Sequence, residues 1–82
     1  MSTAPVVNKD WLVTQGEVIY QQRLKSYLEP SHHGRIAAIE VESGDYFLGH
    51  SVVEAARKAR AKYPQKLFYF VKIGFLAVHV RR

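Results

Sequence analysis

The chain has 82 residues, 48% of them hydrophobic and 23% charged, with no cysteine and a formal charge of +5 at neutral pH. A chain this short buries only about 60% of the surface its unfolded form exposes, so it makes one domain without a deep active-site cleft. Its apolar content excludes a disordered chain, and the lack of cysteine excludes a disulfide framework or thiolate zinc site and fits the cytoplasm. From Ser51 onward eight bases (Arg57, Lys58, Arg60, Lys62, Lys66, Lys72, Arg81, Arg82) face one acid, Glu54, whereas the first fifty residues hold four bases and six acids, a one-sided field that draws anionic partners without naming them.

Residues 1–10 mix small and polar residues with Pro5 and lack the charged start and apolar run of a signal peptide. They read as a flexible N-terminal arm before a single α+β domain at 11–82. Thr14 and Glu17 have the spacing of a capping box, and Val13 and Val18 that of a hydrophobic staple. These signals predict a helix over 15–29, with Tyr20, Leu24, Tyr27 and Leu28 at helical intervals and Pro30 ending the pattern. Ile36 to Val41 and Tyr46 to Leu48 read as strands of a hairpin, joined by Glu42-Ser43-Gly44-Asp45, where Gly44 takes positive φ cheaply.

Ser51 and Glu54 repeat the capping box and open a second helix with the apolar face Val52, Ala56, Ala59 and Tyr63, stopped by Pro64. Leu67 to Val71 is apolar on both faces and marks a buried strand. Phe75 to Val80 alternates Leu76, Val78 and Val80 with Phe75, Ala77 and His79 as a fourth strand. No apolar stretch approaches a bilayer span.

The expected fold is a small two-layer α+β sandwich of order α-β-β-α-β-β, with a mainly antiparallel sheet of three or four strands. Strands two and three flank strand one, and a right-handed crossover lays the second helix on one sheet face. The first helix docks on the other face or at an edge and shields only part of it, leaving apolar side chains for a second copy or another protein. The expected core is Leu24, Leu28, Ile39, Val41, Leu48, Val52, Ala56, Ala59, Leu67, Tyr69 and Val71.

Arg57, Lys58, Arg60 and Lys62 lie within two turns and match phosphate-binding chemistry, yet at about 100° per residue they spread around the helix, as a solvated face does. Phe68 and Phe70 interleave with Lys66 and Lys72, but they lack the spacing of an RNA-stacking sheet and suit a core better. Adjacent His32 and His33, with His50 and His79 distant, have no metal-ligand spacing and read as solvated loop residues. The acids Glu40, Glu42 and Asp45 surround a turn rather than a pocket. Ser43-Gly44-Asp45 reverses the aspartic-protease order without its geometry, and no Gly-rich phosphate loop is present.

Gly34-Arg35-Ile36-Ala37-Ala38-Ile39, then Gly44 and Gly49, Val53-Glu54-Ala55-Ala56, Pro64 and Phe68-Tyr69-Phe70-Val71-Lys72-Ile73-Gly74 form a pattern over half the chain. It resembles a bacterial family of short domains of unknown function, antitoxin-like accessory partners sometimes encoded beside a retropepsin-like protease. The resemblance implies an accessory or binding role and supplies no catalytic residue.

The expected function is therefore a non-enzymatic accessory or adaptor module, with no cofactor, metal or small-molecule substrate and no membrane association. It binds a protein partner or itself, as a homodimer, through a sheet face or edge. Arg57, Lys58, Arg60, Lys62, Lys72, Phe75, His79 and Arg81 are the expected contacts, the bases steering an acidic partner. The alternative is a nucleic-acid-binding regulator using the basic helix and the C-terminal arginines, and a small hydrolase is a distant third.

Overall fold

The computed structural model describes residues 9–75. It opens with a long helix in three parts: α1 (Lys9–Ile19), a π-helical turn (Tyr20–Leu24) and α2 (Lys25–His32). Then follow β1 (Ile36–Ile39), β2 (Tyr46–Gly49), α3 (Val52–Lys62) and β3 (Tyr69–Lys72).

The helix already includes Lys9 and Asp10, so Thr14 and Glu17 sit inside it rather than at its start. Tertiary burial overrides the local signal: Leu12 and Val13, which precede the expected cap, pack against the core. Pro30 does not stop it either, because only one more turn's end remains before His32 and one main-chain bond is forgone. In the π turn the Lys25 N–H reaches the Tyr20 carbonyl. In a regular α-helix each four-residue step overshoots a full turn by about 40°. One wider turn takes up part of that drift and keeps Leu24 and Leu28 on the buried stripe begun by Gly16, Ile19 and Tyr20.

The three strands form an antiparallel sheet of order β2-β1-β3. The hairpin strands are adjacent and the strand after α3 returns to the opposite side of β1, as expected. Ala37 stands between Leu48 and Val71, Ala38 between Phe47 and Phe70, and Ile39 between Tyr46 and Tyr69. This register sorts the side chains onto two faces. Ala37, Ile39, Tyr69 and Val71 meet Ile19, Tyr20, Leu24 and Leu28 of the long helix. Ile36, Ala38 and Phe68 meet Ala55 and Ala59 of α3.

The architecture is therefore helix, sheet, helix, and the expected two layers with an open second face are corrected to three. The first helix is longer than its local signals indicate and lays Ile19, Tyr20, Leu24 and Leu28 on the sheet, while Tyr27, expected on the same face, is 68% exposed. Both helices come close because a glycine lies at each contact, Gly16 within α1 and Gly49 in the β2 strand under α3. A β-carbon on Gly16 would overlap the Tyr69 ring, and one on Gly49 would come within 2.6 Å of the Ala55 nitrogen.

Most of the expected core is buried, but Val52 and Leu67 are 43% and 51% exposed. Val52 is the first residue of α3, ahead of the turn that reaches the sheet, and Leu67 precedes β3. Beyond Phe75, the expected fourth strand lies outside the described residues.

Candidate functional site

The two edges of the sheet differ in how their main-chain groups are met. An antiparallel ladder aims alternate residues at opposite neighbours. Ile73 donates its N–H to the Arg35 carbonyl and its carbonyl accepts from the Gly34 N–H, both at 2.8 Å. Val71 and Tyr69, in step with Ile73, therefore bond inward to β1, while the main-chain groups of Phe70 and Lys72 face outward. The Lys72 carbonyl accepts the Phe75 N–H at 3.0 Å in a turn completed by Gly74 at φ 88°. Among the described residues no strand pairs with the remainder of this edge and no side chain hydrogen-bonds it.

The outer edge of β2 is guarded. Lys58 Nζ donates to the outward Leu48 carbonyl at 2.9 Å and lies 3.9 Å from a Glu54 oxygen. Lys62 Nζ sits 3.2 Å from Asp45 Oδ2, which also accepts the Tyr63 hydroxyl. A lysine held over an edge carbonyl obstructs an incoming strand. The Tyr63 hydroxyl foremost, then Lys62, holds the Asp45 carboxyl below its ordinary value.

A groove flanks β3 on each face. On the long-helix side it holds about 460 Å³ and is lined by Glu17, Tyr20, Gln21, Tyr69, Val71 and Phe75. A separate, mainly apolar hollow of about 400 Å³ lies between Leu12, Val13, Phe68 and Tyr69. Tyr69 is 2% exposed, and its hydroxyl has no hydrogen-bond partner among the described residues. Burial first, then the Glu17 carboxylate, pushes the hydroxyl up to about 12. The Tyr20 hydroxyl accepts the Gly74 N–H at 3.2 Å and donates to Glu29 at 2.9 Å, tying the turn after β3 to the π segment. Its pKa is raised, mainly by burial, with the Gly74 bond acting in the opposite sense.

On the other face α3 packs over β2 and β1 rather than β3. That offset leaves a groove of about 440 Å³ lined by Val52, Val53, Ala56, Arg57, Arg60 and Phe70.

The sheet thus divides the basic helix into two unlike flanks. Lys58 and Lys62 are engaged with the chain itself on the β2 side, whereas Arg57 and Arg60 line the β3 groove and form no ion pair among the described residues. Lys72 Nζ stands 4.7 Å from the Phe75 ring centre, and Phe75 is 49% exposed against the His33 ring. His79 and Arg81 lie outside the described residues. Val53 and Tyr69 were not among the expected contacts. Val53 does carry a signal, a β-branched side chain on the polar flank of a helix, but Tyr69 reads only as core.

The hairpin acids are structural. Glu40 Oε1 accepts the Ser43 N–H at 2.8 Å and Oε2 the Glu42 N–H at 3.2 Å, while Glu42 pairs with Lys66. His50 Nδ1 lies 3.4 Å from Glu54, whose carboxyl is lowered chiefly by the His50 main-chain N–H. No group of three His, Asp or Glu among the described residues is placed to hold a metal, and none of their helices is long and apolar enough to cross a membrane. Comparison of the chain with protein-family profiles, curated proteins and solved structures finds no match.

Proposed function

We propose that this chain is a non-enzymatic accessory module that binds a protein partner by adding an extended segment of the partner to the outer edge of β3. The asymmetry of the sheet carries the proposal: Lys58 covers a carbonyl of the β2 edge, while among the described residues β3 presents the main-chain groups of Phe70 and the N–H of Lys72 between two grooves. Strand addition draws affinity from main-chain hydrogen bonds and specificity from pockets for alternate side chains. Here one set of side chains meets Tyr69 and Val71, and the other meets Phe70 beside Arg57 and Arg60. Acidic residues in the second set suit those arginines and Lys72, and the basic half of the chain raises the encounter rate with such a partner.

An edge of this kind also serves a second copy, which is the route to a homodimer. The resemblance of residues 34–74 to bacterial accessory partners and the absence of cysteine support the same role in the cytoplasm.

Nucleic acid is the second reading. Arg57 and Arg60 beside Phe70 favour it, and the engagement of Lys58 and Lys62 with Leu48 and Asp45 weighs against it. It predicts a log-log salt slope of about 0.9 per phosphate contacted on duplex DNA.

Selection from a library of linear decapeptides tests strand addition. Enriched peptides should alternate apolar and acidic residues, and Lys72→Pro should weaken their binding about tenfold or more by removing an outward N–H without touching the β1 ladder. No enrichment, or peptides indifferent to Lys72→Pro, would contradict it.

A further inference from the structure

We infer that the groove on the long-helix side of β3 is a cation site, in which the partner strand places a lysine or arginine between Glu17 and Glu29. This rests on the strand-addition reading and names the chemistry of one partner position.

The floor of the groove is Tyr20, Tyr69 and Val71, all buried, and its rim carries Glu17 and Glu29. Neither carboxylate forms an ion pair among the described residues, although Lys25 lines the same groove. Nine residues of regular α-helix rotate by about 900°, which would leave Tyr20 and Glu29 on opposite sides. The π turn between them winds less per residue, and Glu29 Oε2 accepts the Tyr20 hydroxyl at 2.9 Å. Glu29 Oε1 accepts no hydrogen bond among the described residues.

Tyr69 adds an unpaired group. Its ring lies against Gly16, where a β-carbon would overlap it, and its hydroxyl points on toward Glu17. That hydroxyl is buried and has no hydrogen-bond partner among the described residues. A buried phenol left unpaired is costly, so a ligand that pairs with it, or that draws the exposed Glu17 carboxylate onto it, is favoured. A cation held between the two carboxylates does this. The aromatic rings and Val71 take the apolar stem of a long basic side chain while its charged end reaches the rim. An isolated surface ion pair gains little, but two carboxylates over a buried floor hold one cation against less water.

Residues of an added strand opposite Tyr69 and Val71 share their face, so the basic residue belongs to the otherwise apolar set. Acidic residues of the other set meet Arg57 and Arg60. A second copy added antiparallel about a two-fold axis normal to the sheet would turn glutamates toward glutamates and arginines toward arginines. This polarity ranks a different chain above a second copy.

Selection of decapeptides on the full-length chain should enrich lysine or arginine at one position of the apolar set. Replacing that residue in the peptide by norleucine, which keeps the stem and removes the charge, should weaken binding about tenfold. Glu17→Gln combined with Glu29→Gln retains an acceptor for the Tyr20 hydroxyl and should abolish the preference, so that both peptides bind alike. Enriched peptides that respond to Lys72→Pro but carry no basic residue there, or a tenfold preference unchanged in the double variant, overturn the cation site alone. A preference that the double variant abolishes, in peptides indifferent to Lys72→Pro, overturns strand addition alone. No enrichment overturns both.

Discussion

Glu40 is 2% exposed, yet its carboxyl titrates below the usual value. Burial works to raise it and is outweighed by hydrogen bonds from the Ser43 side chain and main chain and the Glu42 main chain, with Lys66 adding to them. A carboxyl depressed by folding stabilises the protein above its unfolded value, and that contribution is lost as pH falls through the folded one. Glu40→Gln should lower stability by about 1–3 kcal/mol at pH 7, and the difference from the native chain should shrink below about pH 4. Urea midpoints at pH 7 and pH 3 check this, and a difference independent of pH would contradict it. Alternation in the sequence places Glu40 away from Ile39 but gives no hint of this role, because its partners are main-chain groups whose direction only the turn fixes. Gly44, by contrast, was legible as the residue with positive φ, since few others tolerate that conformation.

Among the elements, α3 and the hairpin are where local chemistry and the fold agree. Ser51 caps the helix by accepting the Glu54 N–H at 3.1 Å, although the Glu54 carboxylate reaches back to the His50 N–H rather than that of Ser51. The long helix is where they diverge. Its start is decided by burial of Leu12 and Val13 against the sheet, a contact that no local pattern encodes. Gly16 gives the strongest test of that packing. In an exposed helix Gly→Ala stabilises by about 1 kcal/mol, but here the added methyl meets the Tyr69 ring. Gly16→Ala should therefore destabilise by about 1–3 kcal/mol in thermal or urea unfolding. A stabilised variant would show that α1 does not lie against β3.

For the molecule as a whole, charge and aliphatic pattern were legible while the site was only half so. The basic helix was evident in Arg57, Lys58, Arg60 and Lys62, but its division depends on which strand each flank faces. That follows from the strand order β2-β1-β3, which places Lys58 over Leu48 and leaves Arg57 and Arg60 beside Phe70. An edge without a partner strand among the described residues is likewise a property of topology, invisible until the strands are ordered. The expected open sheet face gave way to an edge because the long helix covers more than its local signals implied. Amide chemical shifts of the full-length chain, recorded as a selected peptide is added, test the binding edge most directly. The largest changes should fall on the outward N–H groups of Phe70 and Lys72, with β2 unmoved, and maximal changes at Leu48 or along the Lys58–Lys62 flank would contradict it.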